Sequence, residues 1–442
     1  MAAVLGMDAQ EDVLLRNATL PACLLPPDLA GTDAAALLSL DIGVVAGRIA
    51  SISPAGQLEG SDGRSFDLDG GMVLPTLVDM HTHLDKGHIW PRRPNPDGTF
   101  LSALNAVGED RLDSWTADDV RARMEFGLRS AYVYGTSVIR THIDSLPPQD
   151  EISWPVFVEL RDEWKDRILL QGSCLFGIDR LIDHPGYLDS IADRVLAAEG
   201  VLGAVTYMVP GLDDHLDAIF KAAIERGLSL DFHVDETKDP ESRTLKHIAE
   251  AAIRSGYDGE IVCGHCCSLA RQQPDEIDAT LDLVAKAGIG VVSLPMCNMY
   301  LQDREQGRTP RWRGVTLLHE MKARGIPVAV ASDNTRDPFY AYGDLDLIEV
   351  YAQATRILQL DHPISDWIST VSYGAAEMLS VDAGRLTIGA VADLILFRAR
   401  DWSELLSRPT GAREVLRSGR TVTDALPDYR ELDHLMTKSG AA

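Results

Sequence analysis

The strongest constraint on the fold is the alternation of short apolar runs with longer amphipathic stretches between about residue 72 and residue 358. Runs of this length predict buried strands, and the stretches between them have the period of helices. Eight strands, each followed by a helix, predict an α/β protein with a (β/α)8 TIM-like barrel, whose active site lies at the carboxyl ends of parallel strands. The predicted strands cover residues 73–81, 136–142, 168–174, 201–208, 228–233, 260–265, 289–294 and 328–332.

The helical patterns between these runs fit the same barrel. They cover residues 116–132, 189–199, 213–226, 241–255, 274–287 and 313–323. An open doubly wound sheet is the alternative arrangement for alternating strands and helices. The barrel is preferred because no Gly-x-Gly-x-x-Gly turn follows an early strand.

The two ends of the chain have a different pattern, with short alternating segments separated by turn residues. Such segments occupy residues 41–54 and 66–71 near the start and residues 384–397 and 415–422 near the end. Hairpin-like strands at both ends pair most easily with each other. We therefore expect a small composite β-sandwich from residues 1–71 and 384–442, and a barrel domain from residues 72–383.

Composition limits the partners of the chain. Its 442 residues carry a formal net charge of −26, which argues against nucleic acid and anionic membrane surfaces because such contacts need Lys or Arg. No run approaches the ~20 apolar residues of a membrane span, so a cytoplasmic protein is predicted. The six cysteines are too few and too irregularly spaced for a disulfide framework, and buried thiols are expected. A homo-oligomer is left open.

Metal-binding residue types follow several of the predicted strands. His81 and His83 are two apart, so in a strand both imidazoles point to the same side. A histidine can occur anywhere along a strand, but here four strands end in histidine and a fifth is followed directly by aspartate. This repeated placement predicts a metal centre at one rim of the barrel. The side chains at these strand ends are His81, His83, His142, Asp144, His233, Glu236, His265, Asp333 and Asn334.

The predicted ligands are His81, His83, His233 and Asp333. Three nitrogens and one carboxylate oxygen suit a single Zn²⁺ or Fe²⁺ ion with one position left for water. Such an ion lowers the pKa of its water toward ~7, so that hydroxide can attack a small-molecule substrate. Glu236 is predicted to shuttle protons, its alternative being a surface carboxylate. His265 is predicted to stabilise the attacking hydroxide or a developing oxyanion, or else to be a further ligand.

Taken in order, these motifs resemble the amidohydrolase superfamily and, within it, the cytosine deaminase group. The resemblance implies a distorted barrel with one divalent metal that hydrolyses an amino group from an aromatic ring. It also implies that Glu236 protonates a ring nitrogen, and that His265 with Asp333 orients and deprotonates the water. The motifs are His81-Thr-His-Leu-Asp85, Arg140-Thr-His-Ile-Asp144, His233-Val-Asp-Glu236, Gly264-His265, Asn298-Met-Tyr-Leu-Gln302 and Ser332-Asp-Asn-Thr-Arg-Asp-Pro-Phe-Tyr340.

One departure from the superfamily pattern concerns the number of metals. Two-metal members have a lysine near the end of strand four, and residues 204–208 contain none. This favours one metal, and so deamination over the opening of a cyclic amide. The unrelated zinc deaminases are excluded, because their His-x-Glu and Pro-Cys-x-x-Cys signature is missing.

Other departures concern the substrate. Cytosine deaminases have a glutamine after strand three, which residues 174–179 lack, and Asn334 follows the metal aspartate where a second aspartate is common. A site built to hydrogen-bond one ring rejects its analogues strongly, so a larger aminopyrimidine such as a pterin is expected. Phe176, Phe339 and Asn334 are the predicted substrate-binding residues, with ordinary loop packing as the alternative for Phe339 and Asn334.

Three other functions remain open at this point. Lys86 directly follows His81-Thr-His-Leu-Asp85. A motif with lysine at this place resembles that of relatives that remove an alkylamine from a triazine ring. A cyclic-amide hydrolase uses the same attack on a different bond. A non-catalytic binding relative is the third, although such proteins usually lose metal ligands and every expected ligand is present here.

Overall fold

The computed structural model describes residues 12–57, 64–184 and 186–436 of a mixed α/β protein. The strands are β1 Val13–Pro21, β2 Leu37–Val45, β3 Arg48–Pro54, β4 Arg64–Asp67, β5 Val73–Pro75, β6 Leu77–Thr82, β7 Thr136–Asp144, β8 Leu169–Leu175, β9 Leu202–Thr206, β10 Leu230–Val234, β11 Ile261–His265, β12 Gly290–Ser293, β13 Val328–Val330, β14 Leu394–Phe397, β15 Arg413–Arg417 and β16 Arg420–Thr421.

Helices separate most of these strands. The α-helices are α1 Pro27–Ala30, α2 Phe100–Ser114, α3 Ala117–Tyr134, α4 Asp150–Trp164, α5 Arg180–Asp183, α6 Tyr187–Ala197, α7 Leu212–Arg226, α8 Thr244–Ser255, α9 Pro274–Lys286, α10 Pro295–Leu301, α11 Leu318–Ala323, α12 Leu347–Leu358, α13 Tyr373–Met378, α14 Trp402–Ser407 and α15 Asp433–Met436. Short 3-10 helices cover Ala22–Leu24, Cys267–Arg271, Trp367–Val371 and Tyr429–Leu432.

The central strands form two sheets in sequence order. One has the order β6-β7-β8, and the other runs β13-β12-β11-β10-β9 with every pair parallel. Isolated parallel bridges join Thr82 to Asp333 and Ser173 to Val201. The parallel α/β arrangement is confirmed, and each of the eight predicted runs contains a strand. A closed barrel remains a prediction, since continuous strand pairing forms two sheets that only isolated bridges join.

The local sequence explains why these elements form. Strands β10, β11 and β12 are buried along their whole length, as expected for parallel strands covered on both faces. Helix α9 starts with proline at its first position and a capping box between Gln273 and Glu276. Helix α8 ends at Gly256 with φ of 65°, a left-handed conformation that glycine adopts without steric cost.

The first predicted strand, over residues 73–81, is in fact two strands. Residues 73–75 form β5, which pairs antiparallel with β14, and β6 then joins β7. The split follows from Pro75 and Thr76, where the chain changes sheets, and proline lacks the N–H that would continue a ladder. The strand that carries His81 therefore begins at Leu77.

The strands at the two chain ends form two further four-stranded sheets, ordered β3-β2-β1-β4 and β16-β15-β14-β5. Segments from the two ends meet, because Ile49 N donates to Ala390 O at 2.9 Å and Gly389 N donates to Ile49 O at 2.7 Å. These contacts agree with the predicted pairing of the two ends, which stays a prediction because their strands form separate sheets. The β-sandwich itself remains a prediction, and the predicted segments at residues 1–11, 58–63 and 437–442 lie outside the described residues.

The described residues group into two compact units. One contains the residues up to Val78 together with Arg129–Ser137 and Asp346–Leu426, and the other contains Asp79–Leu128, Val138–Leu345 and the residues from Pro427 onward. The predicted domain boundaries at residues 71 and 384 stay a prediction. Within the described residues, no helix combines the length and apolarity needed to span a bilayer. All six cysteines are free and five are buried, as expected.

Candidate active site

The predicted metal-binding residues lie where the parallel strands of the second unit end. His81 is in β6 and His83 follows it, His233 is in β10, and Asp333 comes three residues after β13. His81 Nε2 lies 3.2 Å from His233 Nε2, which lies 3.1 Å from His83 Nε2. Asp333 Oδ1 lies 3.2 Å from His83 Nε2 and 3.7 Å from His81 Nε2. The structure brings all four side chains together, and all four are buried.

The polar atoms of this cluster fit a divalent cation. Neither oxygen of Asp333 has a hydrogen-bond partner among the described residues, and the His233 nitrogen faces two other imidazole nitrogens although one shared proton can serve only one of them. Burial is the main cause that lowers the pKa of all three histidines well below its usual value, so the rings are neutral. Neutral imidazoles and a carboxylate are ligands of Zn²⁺ and Fe²⁺.

Burial also acts on the Asp333 carboxyl. It is the main cause that raises the pKa of Asp333 to about 8, because a buried carboxylate without a counter-charge is costly. A cation at the cluster would remove this cost, because its positive charge stabilises the ionised carboxylate and lowers the pKa of Asp333. The ligand atoms of His81, His83 and Asp333 lie within 4.8 Å of one another, as do those of His81, His233 and His265. Whether His265 is a further ligand therefore stays open.

Glu236 and His265 meet beside this cluster. Glu236 Oε1 lies 3.5 Å from His265 Nδ1 and accepts a hydrogen bond from Asn298 Nδ2 at 3.2 Å. Burial, followed by the charge of Asp333, raises the pKa of Glu236 well above its usual value. A raised pKa favours the protonated carboxyl group, which is the form that a general acid requires.

The Asn298 amide indicates a tautomer for His265. Asn298 Nδ2 lies 2.9 Å from His265 Nδ1, so an amide donor there makes Nδ1 the acceptor and leaves the proton on Nε2. His265 Nε2 is buried and has no hydrogen-bond partner among the described residues. An N–H group left over in this way is available to a water or a developing oxyanion. The geometry agrees with the role predicted for His265.

The backbone is strained at the ends of three strands. Asp235, His265 and Asp333 have φ values of 47°, 68° and 63°, a left-handed region that costs non-glycine residues free energy. They follow or end β10, β11 and β13, where the predicted catalytic side chains lie. Such strain is typical of functional sites, where the surrounding structure fixes an unfavourable conformation in order to aim a side chain.

His142 supports His81 from the side away from the cluster. His142 Nε2 lies 3.1 Å from His81 Nδ1, and Asp231 Oδ1 lies 3.9 Å from the same His142 nitrogen. Arg140 donates to Asp231 Oδ2 at 3.0 Å and to Glu260 Oε1 at 2.8 Å. His81 is therefore backed by a second histidine next to a buried ion pair, an arrangement that orients metal ligands.

The predicted substrate-binding residues have different surroundings. The Phe339 ring is 8% exposed and lies beneath the Lys86 ammonium, whose Nζ is 5.2 Å from the ring centroid. Asn334 Nδ2 donates to Asp337 Oδ2 at 2.7 Å, so this amide nitrogen already makes a hydrogen bond within its own loop. Phe176 is 2% exposed and packs its ring edge-on against Tyr187. Their roles toward a substrate remain predictions.

Comparisons with known proteins identify the family. A family model described as "Amidohydrolase family" matches residues 186–423. Pterin deaminase from Rhizobium rhizogenes is 55% identical over 421 residues, which cover 95% of this chain and 96% of that protein. This chain belongs to the amidohydrolase family. The resemblance expected from the sequence motifs is confirmed, and the chain is a hydrolase of C–N bonds from a metal-dependent family.

Solved structures show the same fold for this amidohydrolase. A 5-methylcytosine deaminase from Klebsiella pneumoniae, liganded with 5-fluorocytosine, has a TM-score of 0.80 at 22% identity, and the match covers 94% of this chain and 98% of that one. N-isopropylammelide isopropylaminohydrolase from Burkholderia multivorans has a TM-score of 0.74 at 25% identity, with 93% and 98% covered.

Sequence reasoning gave no role to several residues that the amidohydrolase site contains. Asn298 and Gln302 were part of a motif only, yet Asn298 Nδ2 donates to the Glu236 side chain and Gln302 Nε2 donates to the Glu236 carbonyl. Their spacing of four residues, which places both amides on one helical face, is a signal that could have revealed this. For the His142–His81 contact the only signal was the placement of His142 at a strand end.

Proposed function

We propose that this amidohydrolase is a metal-dependent hydrolytic deaminase of a pterin, a fused aminopyrimidine, and that it releases the oxo product and ammonia. The observation that carries the proposal is the 55% identity, over 95% of the chain, to a protein named pterin deaminase. The site supports it, because a carboxyl group suited to proton transfer lies beside a cluster suited to a metal.

The proposed ligands are His81, His83, His233 and Asp333, which hold one Zn²⁺ or Fe²⁺ ion. The partnerless oxygens of Asp333 and the facing imidazole nitrogens support this assignment. When bound, the ion supplies an activated water near neutral pH. A single ion agrees with the sequence after strand four, which offers no lysine within residues 204–208.

Three side chains move or hold protons in this proposal. Glu236 gives its proton to the ring nitrogen next to the carbon that bears the amino group, which makes that carbon a better electrophile. Asp333 accepts a proton from the attacking water, and His265 donates its Nε2 proton as a hydrogen bond to the oxygen. The C–O bond forms first, and the C–N bond breaks in a second step. The amino group leaves as ammonia with the proton that Asp333 accepted, and the remaining hydroxyl proton returns to Glu236 as the carbonyl forms.

Phe339, Phe176 and Asn334 are proposed to contact the substrate ring. Phe339 has support from its place beneath Lys86, where a flat ring can stack on it. Asn334 can act on a substrate only through atoms that its hydrogen bond to Asp337 leaves free.

The fold around this site is proposed to be a closed (β/α)8 barrel over residues 72–383, with a β-sandwich from residues 1–71 and 384–442. Support comes from the sequential order β6-β7-β8, from the parallel order of β9 to β13, and from the bridges Ser173–Val201 and Thr82–Asp333 that join the two sheets.

A second candidate function is the removal of an alkylamine from a triazine ring. N-isopropylammelide isopropyl amidohydrolase from a Pseudomonas species is 24% identical over 372 residues, covering 81% of this chain and 87% of that protein. The chemistry differs from that of the first proposal only in the leaving group, which is an alkylamine instead of ammonia.

A product assay separates the two functions. The purified protein, loaded in turn with Zn²⁺ and Fe²⁺, is incubated with pterin, cytosine and N-isopropylammelide, and ammonia and isopropylamine are measured. Ammonia from pterin is expected, with a kcat/KM above that for cytosine. Release of isopropylamine from N-isopropylammelide, together with no ammonia from pterin, would overturn the first proposal in favour of the second.

A further inference from the structure

Lys86 is a buried residue, and its ammonium group has no hydrogen-bond partner in the part of the chain that the structure describes. Lys86 is 5% exposed and lies in the loop after β6, three residues beyond His83. Its nearest carboxylate oxygen is Asp144 Oδ1 at 3.6 Å, beyond hydrogen-bond distance, and the Phe339 ring centroid is 5.2 Å away. The three N–H donors of this residue therefore have no protein acceptor.

Lys86 is not required as the sole counter-ion of the aspartate beside it. Asp144 Oδ2 also receives a hydrogen bond from Arg111 Nη1 at 3.2 Å, and the backbone N–H of Asp144 donates to Asp85 at 2.8 Å. An ammonium held near a carboxylate that already has an arginine can turn its donors toward a ligand.

The charge of Lys86 acts on the proposed catalytic groups. Burial alone would lower the pKa of Lys86, but the carboxylates around it raise that pKa above its usual value, so it stays charged; these are Asp144, Asp85, Asp337 and Asp333. Lys86 also opposes the rise in the pKa of Glu236 and lowers the pKa of His265. The ammonium thus lies within electrostatic reach of the residues proposed to move protons.

We propose that Lys86 is a specificity-determining residue that donates hydrogen bonds to an oxo oxygen of the substrate ring. This inference rests on the proposed function and narrows its substrate class to heterocycles that carry both the amino group to be lost and a ring carbonyl. The juxtaposition that carries it is a buried, charged donor without an acceptor, placed over Phe339 and beside the proton-transfer groups.

The same geometry rejects rings with an amino group in place of the oxo group. An amino substituent presents N–H donors to the ammonium, so both groups would be buried without an acceptor. Sites that hydrogen-bond a substrate group discriminate strongly against analogues that lack it. The contrast between pterin, which is 2-amino-4-oxopteridine, and 2,4-diaminopteridine therefore isolates the contribution of Lys86.

The test compares wild type with Lys86→Met, which keeps the length of the side chain and removes the charge. Lys238→Met is the matched control, because Lys238 is 57% exposed and its nearest carboxylate is Glu305 at 3.6 Å. The ratio of kcat/KM for pterin to that for 2,4-diaminopteridine is measured. We expect this ratio to fall about 10- to 100-fold in Lys86→Met, the range for a hydrogen bond from a charged group, and to stay unchanged in Lys238→Met.

Two further readouts separate recognition from support of the fold. Metal content and thermal midpoint show whether Lys86→Met is folded and loaded, and calorimetry gives the affinity of each variant for 2,4-dioxopteridine, the deamination product. Wild type that releases no ammonia from pterin contradicts the proposed function. Equal affinity of wild type and folded Lys86→Met for the dioxo ring, or an unchanged substrate ratio, contradicts the role of Lys86.

Discussion

Glu236 shows how a single position combines the requirements for proton transfer. It lies three residues beyond His233, where the chain leaves β10, and the amides of Asn298 and Gln302 fix its side chain and its backbone. Its raised pKa comes first from burial and then from Asp333. A general acid needs both proximity to the reacting atoms and a pKa raised in this direction, which favours the protonated form.

Glu236→Gln is therefore expected to lose about 10²- to 10⁴-fold in kcat, the usual contribution of a general acid. Metal content, measured by mass spectrometry, should stay at the wild-type level because Glu236 is not a proposed ligand. Glu241→Gln is the control, since Glu241 is an exposed carboxylate of the same loop, 76% exposed. Full activity of Glu236→Gln would remove this residue from the mechanism.

The contact between His142 and His81 predicts that replacing His142 changes metal affinity rather than the rate of the reaction. If His81 binds the ion through Nε2, its proton is on Nδ1, and the acceptor is His142 Nε2 at 3.1 Å. His142→Phe removes this acceptor and should weaken Zn²⁺ binding about 10- to 100-fold, as measured by competition with a chelator. His142→Gln offers an amide oxygen instead and should restore most of the affinity.

The control for the His142 variants is His88→Phe. His88 is a buried histidine of the same unit, 3% exposed, and its ring packs against Phe126. This change tests the effect of replacing a buried imidazole as such. If His142→Phe is folded and binds Zn²⁺ as tightly as wild type, His142 has no positioning role.

At the residue scale, the sequence predicts which side chains lie at the strand ends. It predicts less well which side chains of two different strands contact each other. His81, His83, His233 and Asp333 were predicted because parallel strands bring their ends to one edge, and the structure brings them together. The pairing of His142 with His81 depends on register between two strands 61 residues apart. Periodicity along one strand carries no information about that register.

At the scale of elements, the strands were predicted closely and the points where the chain changes sheets were not. All eight central strands lie where the apolar runs are, but the run over residues 73–81 contains both β5 and β6. The partner of β5 is β14, more than three hundred residues later. An apolar run looks the same whichever sheet receives it, so only the tertiary pairing separates the two strands.

Helix α3 supports the loop that carries Lys86. Asp119, in the first turn of α3, accepts hydrogen bonds from Arg92 Nη2 at 3.1 Å and from Arg123 Nε at 2.9 Å. Arg123 is fully buried and also donates to the carbonyl of Gly87 at 3.2 Å. The loop after β6 is therefore held by the Arg123 guanidinium, whose charge Asp119 neutralises.

Asp119→Asn should destabilise the protein by about 3–5 kcal/mol, because it leaves a buried guanidinium without its carboxylate. The free energy of unfolding in urea measures the loss. Asp118→Asn, an exposed neighbour, should change it by no more than about 0.5 kcal/mol. Similar values for the two variants would show that the ion pair does not stabilise the loop.

At the scale of the whole molecule, the last described segment returns to the second unit. The Tyr429 ring stacks on Phe126 with centroids 5.5 Å apart, and Arg336 Cζ lies 4.1 Å above it. Leu435 O accepts a hydrogen bond from Arg92 Nη1 at 3.1 Å. The sequence patterns predict no structure for this polar tail, since single aromatic residues carry no period that predicts a partner.

Tyr429→Ala should release this segment, with a loss of about 1–2 kcal/mol from one aromatic pair and one cation–π contact. Hydrogen–deuterium exchange should become faster over residues 427–436 and stay unchanged in β10 to β12. Tyr429→Phe keeps both ring contacts and should exchange like wild type. Unchanged exchange in Tyr429→Ala would mean that the ring does not hold the segment.

The pairing of β5 with β14 has a consequence for synthesis of the chain. These strands are 319 residues apart, from Pro75 to Leu394, so at roughly 5–20 residues per second β14 is made roughly 16–64 s after β5. A ribosome that stops near residue 390 has already made every metal-ligand candidate, yet β5 still lacks its neighbour. Quality control by the cell thus has a long interval in which to act on a nascent chain that already contains its chemical groups while the sheet of β5 is still incomplete.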